Sequence, residues 1–234
     1  MNGLQNSFFA SLIFATVSGL KDTGRVRQCN ILVSAANPDE ALAKARAAGV
    51  DRSSEVERFL GVEELLIIHS EVQDGVELVW RERLWTENDL KKFLEENVRN
   101  AALPADNGLS PVGWYVGEIT LQEVVDESAE YDKLLIWKNT YLLKESNSQL
   151  ALQRLETMGQ QEQEAGAHTS DGYNATWKFL GVSMLWPVQE SPADGSLLWC
   201  ERLTLSPAQM MLNMPSRDEL GVFRWLKDLS KAKR

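Results

Sequence analysis

The sequence predicts an α+β protein made of two tandem copies of a β-β-α-β-β-α unit, each an antiparallel sheet with helices packed on it. Three observations carry that prediction. Phe59–Leu84, FLGVEELLIIHSEVQDGVELVWRERL, returns at Phe179–Leu203 as FLGVSMLWPVQESPADGSLLWCERL. Outside that stretch further anchors keep their order, as internal duplication requires. Asn37, Ala41, Leu42 and Gly49 match Asn147, Ala151, Leu152 and Gly159 at an offset of 110, and Phe8 and Phe9 match Trp114 and Tyr115 at 106. Within it, Phe59–Gly61 and Asp74-Gly75 match at 120, and Trp80, Glu82, Arg83 and Leu84 match Trp199, Glu201, Arg202 and Leu203 at 119. Finally, apolar alternation of period two is interleaved with capped stretches of helical period. The expected organisation is a first repeat over 1–103, a linker over 104–112 and a second repeat over 113–234.

Each element has its own reason. Phe8–Val17 is rich in aromatic and β-branched residues and VRQCNILVS (Val26–Ser34) alternates, so the two predict a hairpin. Phe8–Val17 also resembles the apolar part of an export signal, but no basic residue precedes it and it aligns with the mid-chain WYVGEITLQEVV, so it is read as a strand. In NPDEALAKARAAG, Asn37 can cap, Pro38 suits the first helical position, Glu40 completes a capping box and Gly49 ends the helix. Val56–His69 is apolar enough for a strand buried on both faces, with Val76–Leu84 as its hairpin partner across an Asp74-Gly75 turn. Thr86 and Asp89 open a helix carrying Leu90, Phe93, Leu94 and Val98 on one face.

Asn100–Gly113, with two prolines and two glycines, reads as the linker. The second copy then repeats the pattern: an acidic first hairpin, a helix over Ser148–Met158, an inserted polar loop over Gly159–Thr176, and a second hairpin from Trp177–Trp186 and Gly195–Leu205. A last helix starts at a Ser216/Glu219 capping box, with Leu220, Phe223, Leu226 and Leu229 inward. Met210, Met211 and Met214 either form an adaptable contact surface or pack on their own domain.

The second copy, through WYVGEI, NTYLLKESNSQLALQRLETMG and WKFLGVSMLWPVQESPADGSLLW, resembles the bacterial family called domain of unknown function 4288 over about Trp114–Leu203, and the first copy resembles it more loosely over Phe8–Leu84. The resemblance implies a small bacterial cytoplasmic α+β domain and carries no catalytic residue across.

Little chemistry is visible. No P-loop, dinucleotide fingerprint, nucleophile elbow, HExxH or CxxC occurs, and neither His69 nor His168 has a second ligand at metal spacing. No cofactor is expected. The repeated Glu82-Arg83 and Glu201-Arg202 would point to opposite sides of a strand and are read as structural ion pairs. Cys29 and Cys200, on different copies at non-equivalent positions, are read as two free buried thiols, consistent with a cytoplasmic location.

A net charge of −10 disfavours direct binding to nucleic acid or to an anionic membrane and favours a basic protein partner. The leading expectation is an acidic cytosolic protein-binding module of the immunity or antitoxin kind, neutralising a basic bacterial toxin by direct contact. Its contact residues are expected at the acidic hairpin tip, Asp126, Glu127 and Glu130, and in the inserted loop, Glu162 and Glu164. The alternatives are a non-catalytic structural or regulatory subunit that self-associates as a homo-oligomer, and an enzyme working with carboxylates between the copies.

Overall fold

In the computed structural model of the chain, the structure describes residues 6–16, 24–95, 110–125, 134–165, 168–170, 173–205, 215–224 and 227. The chain forms two compact units, one of Met1–Val72 with Glu190–Arg234 and one of Gln73–Gln189. These are not the sequence repeats. Each unit takes its last strand from the other repeat.

The first unit contains β1 (Asn6–Thr16), β2 (Gly24–Ala35), α1 (Pro38–Asp51) and β3 (Glu57–Ile68) from the first repeat. The second contains β4 (Val76–Trp85) and α2 (Glu87–Phe93), then β5 (Trp114–Val125), β6 (Leu134–Lys144), α3 (Ser148–Glu164), β7 (His168–Ser170) and β8 (Tyr173–Pro187). The chain returns to the first unit with β9 (Leu197–Leu205), a 3-10 turn at Arg217–Glu219 and a helical turn at 221–224. The sheets run β3-β1-β2-β9 and β4-β6-β5-β8-β7, and every pairing is antiparallel.

The expected hairpins between β3 and β4 and between β8 and β9 are therefore wrong. In both sheets the fourth strand lies beside the second strand, and the third lies at the far side of the first. A direct turn from third to fourth strand would make them neighbours, which this order forbids. The Asp-Gly pairs do form turns, with Gly75 at φ 82° and Gly195 at φ 80°, in the left-handed region where glycine carries no steric penalty. Each turn leads into the other repeat's sheet. Gly75 N–H donates to the Leu142 carbonyl (2.8 Å) and Gly195 N–H to the Leu32 carbonyl (2.9 Å). The aspartates clamp the entry: Asp74 Oδ1 accepts from Lys144 N–H (2.8 Å) and from Arg154 Nη1 (2.8 Å). Likewise, Asp194 Oδ1 accepts from Ser34 N–H (2.8 Å) and its Oδ2 lies 3.8 Å from Lys44 Nζ.

Register corrects two of the offsets as well. Ile13 pairs with Gly61 and Thr120 with Gly181, and β-bulges fall at the same places in both sheets. The first strands therefore correspond at 107, and the residue matching Phe8 is Tyr115, with both in the core. Similarly, Cys29 faces Cys200 while Asn139 faces Trp80, and Leu198 and Leu78 are each skipped by a bulge. The fourth strands thus correspond at 120 throughout. Trp199 is the counterpart of Val79, not of Trp80, because the shared Glu-Arg-Leu letters were matched one residue out of register. A one-residue slip exchanges the two faces of a strand.

The cores follow from the expected patterns. Phe8, Leu12, Phe14, Ile31, Val33 and Leu65 pack against Leu42 of α1 with Leu220, Val222 and Phe223, and Tyr115, Ile119, Leu121 and Leu143 pack against Ala151 and Leu155 of α3. Burying a side chain of this size contributes about 1.5–3 kcal/mol. Asn37 and Asn147 cap α1 and α3 by accepting from Glu40 and Leu150 N–H. Gly49 and Gly159 are small for a shared reason: a Cβ would lie 2.4 Å from the Phe59 ring and 2.3 Å from the Phe179 ring.

Four more expectations are corrected. Cys29 and Cys200 are joined in a disulfide rather than free, because the exchange sets them directly opposite across β2 and β9. Strand β3 is an edge strand and only partly buried. The inserted loop is not a loop: α3 continues to Glu164, and β7 and the start of β8 take up most of the rest. The last helix begins as a 3-10 turn whose Ser216/Glu219 capping box is present. Val98, Leu226, Leu229, Met210, Met211 and Met214 lie outside the described residues, as does most of the linker.

Candidate protein-binding site

Of the expected contact residues, Asp126, Glu127 and Glu130 lie outside the described residues. Glu162 and Glu164 sit in the last turn of α3, Glu162 half-buried and Glu164 exposed. The structure thus places both acids on a helix.

Because β4 joins the second unit, it brings Trp80 against Trp137, and the rings stack at 4.9 Å with 17° between planes. Trp177 meets Trp137 edge-on at 5.2 Å. The outer member, Trp80, is 49% exposed, and Leu84, four residues on along the same side of β4, is 64% exposed. Glu82 lies between them. At the equivalent positions the first unit holds Cys200, Arg27 and Glu57. There Arg27 pairs with Glu57 (2.6 Å), lies 4.8 Å from the Phe14 ring centre and donates to Cys200 Sγ (3.7 Å). One scaffold position therefore carries a disulfide with an ion pair in one unit and a tryptophan row in the other.

Acidic groups flank the row. Glu77 pairs across the strands with Tyr141, and Trp80 with Asn139, whose Nδ2 donates to Tyr141 Oη (3.5 Å). Glu77 is exposed, yet the partial burial of its carboxyl raises it above the ordinary value; the Tyr141 hydroxyl opposes this and the nearby charge of Glu162 adds to it. The Tyr141 hydroxyl is raised as well, first by burial.

Two polar clusters beside the bulges invite a catalytic reading, which their geometry answers. In the second unit Lys138 Nζ sits 2.5 Å from Glu118 Oε1, Ser183 Oγ donates to the same oxygen (2.6 Å), and Thr120 donates to Ser183 (3.0 Å). The serine proton points at a carboxylate already neutralised by a lysine, and that lysine also lies over the Phe93 ring (4.7 Å). An activated serine needs a base free to accept its proton. The first unit fills the same three positions with Ser11, Gln28 and Glu63, where Gln28 donates to Ser11 (2.8 Å) and Ser11 to Glu63 (3.3 Å). A cluster that survives exchanging its serine and glutamate, and its lysine for glutamine, is holding strands at a bulge.

The repeated Glu-Arg pair also resolves differently from the expected ion pair. Glu201 Oε1 accepts from the Trp199 indole N–H (3.0 Å). Among the described residues, no group of three or more histidine, cysteine, aspartate or glutamate side chains is placed to hold a metal ion. No described helix is long and apolar enough to cross a membrane.

No family model, curated protein or solved structure matches this chain.

The sequence does not place Trp80 beside Trp137, because the two belong to different repeats. Only knowledge of the exchange puts them side by side.

Proposed function

We infer that the chain is an acidic protein-binding module that takes a basic protein partner by direct contact, in the manner of an immunity protein or antitoxin. The observation that carries this reading is the exposed Trp80–Leu84 side of β4, backed by Trp137 and bordered by Glu77, Glu82 and Glu162. Aromatic anchors that offer large area at small entropic cost are enriched in protein interfaces. A surrounding negative field speeds encounter with a basic partner and fixes its orientation.

The test uses the purified product of the neighbouring reading frame. Trp80→Ala and Glu162→Lys are each expected to weaken binding by about tenfold or more in calorimetry, without loss of folding. Unchanged affinity in both variants removes this face from the interface.

Self-association through sheet edges is the weaker alternative. Edge strand β3 carries Glu57, Arg58, Glu63 and Glu64, the kind of charge that discourages edge pairing. The cytoplasmic location remains a proposal that requires the Cys29–Cys200 bond to be reduced in the cell, since disulfides persist in oxidising compartments. Acid quenching of intact cells followed by alkylation under denaturing conditions decides it: modified cysteines support a reducing compartment, and protected cysteines oppose it.

A further inference from the structure

In the first unit, the end of α1 is closed by an arginine of the chain itself. Arg52 donates through Nη1 to the Ala48 carbonyl (3.2 Å) and through Nη2 to the Gly195 carbonyl (2.8 Å). Its guanidinium lies in an open cleft of 650 Å³ between α1 and the turn into β9, beside Ile31 and Ser196.

The second unit repeats the strand order and the turn with the opposite charge, and α3 runs on to Glu164 where α1 stops at Asp51. The offset that maps Asn37 onto Asn147 maps Arg52 onto Glu162 and Ile31 onto Tyr141. The offset that maps Gly195 onto Gly75 maps Leu197 onto Glu77 and Cys200 onto Trp80. An internal guanidinium and an apolar wall are thus replaced by two carboxylates, a tyrosine and an exposed indole. Among the described residues neither Glu77 nor Glu162 forms an ion pair. Arg154, the counterpart of Lys44, is engaged by Asp74 (2.8 Å) and Glu145 (3.1 Å). Asn139 adds an independent sign. It is 9% exposed, its Nδ2 is directed at Tyr141, and its Oδ1 has no hydrogen-bond partner. A buried acceptor without a donor is costly, and a ligand bearing N–H groups relieves it.

We propose that this part of the second unit binds a guanidinium group presented by a basic partner, with Glu77 and Glu162 as its charge partners, Asn139 Oδ1 as a further acceptor and the exposed ring of Trp80 as a stacking face. A guanidinium suits the place better than an ammonium. It is planar, stacks on indole, and offers five N–H groups in a fixed fork, enough for two carboxylates and an amide oxygen. A bound cation opposes the burial and the neighbouring Glu162 charge that raise the Glu77 carboxyl. The proposal takes its source of guanidinium from the protein-binding reading, while its chemistry stands on the two units compared.

The test is nuclear magnetic resonance on the full chain, following the Trp80 indole and Asn139 side-chain amide during titration with N-acetyl-arginine amide, N-acetyl-lysine amide and an arginine-containing peptide. Saturable shifts are expected with arginine amide, weaker binding with lysine amide and tighter binding with the peptide. Glu162→Arg, which copies the first unit, and Glu77→Gln should each weaken binding by about tenfold or more. Glu162→Gln, checked for an unchanged melting temperature, separates loss of charge from loss of fold. Absence of a saturable shift in the folded wild type, or equal binding by Glu162→Arg, overturns the site. Equal affinity for amide and peptide overturns a protein-borne source. If arginine amide binds while Glu162→Lys leaves partner affinity unchanged, the site stands and the partner interface lies elsewhere.

Discussion

At the scale of single residues, the two units solve the same packing problem with different pairs. A Cβ on Gly117 would lie 2.1 Å from Leu155 Cδ1, so the strand is bare where the helix is large. At the equivalent positions the first unit has Ala10 and Ala45, both fully buried. Gly117→Ala should therefore cost about 1–3 kcal/mol in urea unfolding, as overpacking of a filled core does. Leu155→Ala should cost less in the Gly117→Ala background than in the wild type, because the added methyl takes up part of the space it leaves. Additive destabilisation in the double variant would mean the two positions do not share one space.

Glu77 gives a second prediction at this scale. Its carboxyl is raised above the ordinary 4.5 by burial, so the folded state holds the proton more tightly than the unfolded state. The stabilisation from this proton is complete below the unfolded value and is lost as pH rises through the raised one. Glu77→Gln removes that loss. Its melting temperature relative to wild type should rise from about pH 4 to about pH 7, and a difference independent of pH would contradict the assignment.

At the scale of elements, much was legible in the sequence. Asn37, Pro38 and Thr86 marked helix starts because capping is local chemistry, and β1 was readable as a strand despite its resemblance to an export signal. The paths taken by β4 and β9 were not legible. An Asp-Gly turn states that the chain reverses and is silent about which sheet receives it. Cys29 and Cys200 looked unrelated for that reason, and the letters shared by β4 and β9 matched one residue out of register because sequence identity does not sense a bulge. The helical extension through Glu162 and Glu164 was hidden by glutamines and glycines that read as loop; Gly159 is there to admit Phe179. The aspartate clamps test the exchange at this scale. Removing the charged hydrogen bonds of Asp74 to Lys144 N–H and Arg154 by Asp74→Ala should cost about 1 kcal/mol, less than a buried contact because the site is partly exposed. Arg154→Ala should be nearly non-additive with it. Full additivity in the double-mutant cycle would place the two side chains apart.

At the scale of the whole molecule, duplication followed by reciprocal strand exchange makes each repeat incomplete without the other. Neither the three-stranded remainder of the first sheet nor the four-stranded remainder of the second has the strand that closes the free side of β2 or β6. The exchange also frees the units to diverge, so one keeps a disulfide, an ion pair and its own arginine where the other presents tryptophans and carboxylates. The disulfide spans a sequence separation of 171 residues and ties β9 to β2. By chain-entropy reasoning a closure of that length stabilises by up to about 5 kcal/mol.

The exchange is tested most directly by exposing the folded, reduced protein to a mild thiol oxidant, digesting it without reductant and mapping the cross-links by mass spectrometry. The account predicts an intramolecular peptide pair joining Cys29 to Cys200, formed in the monomer and independent of protein concentration. Two thiols that stay free while the chain is folded, or cross-links found only between molecules, would contradict it.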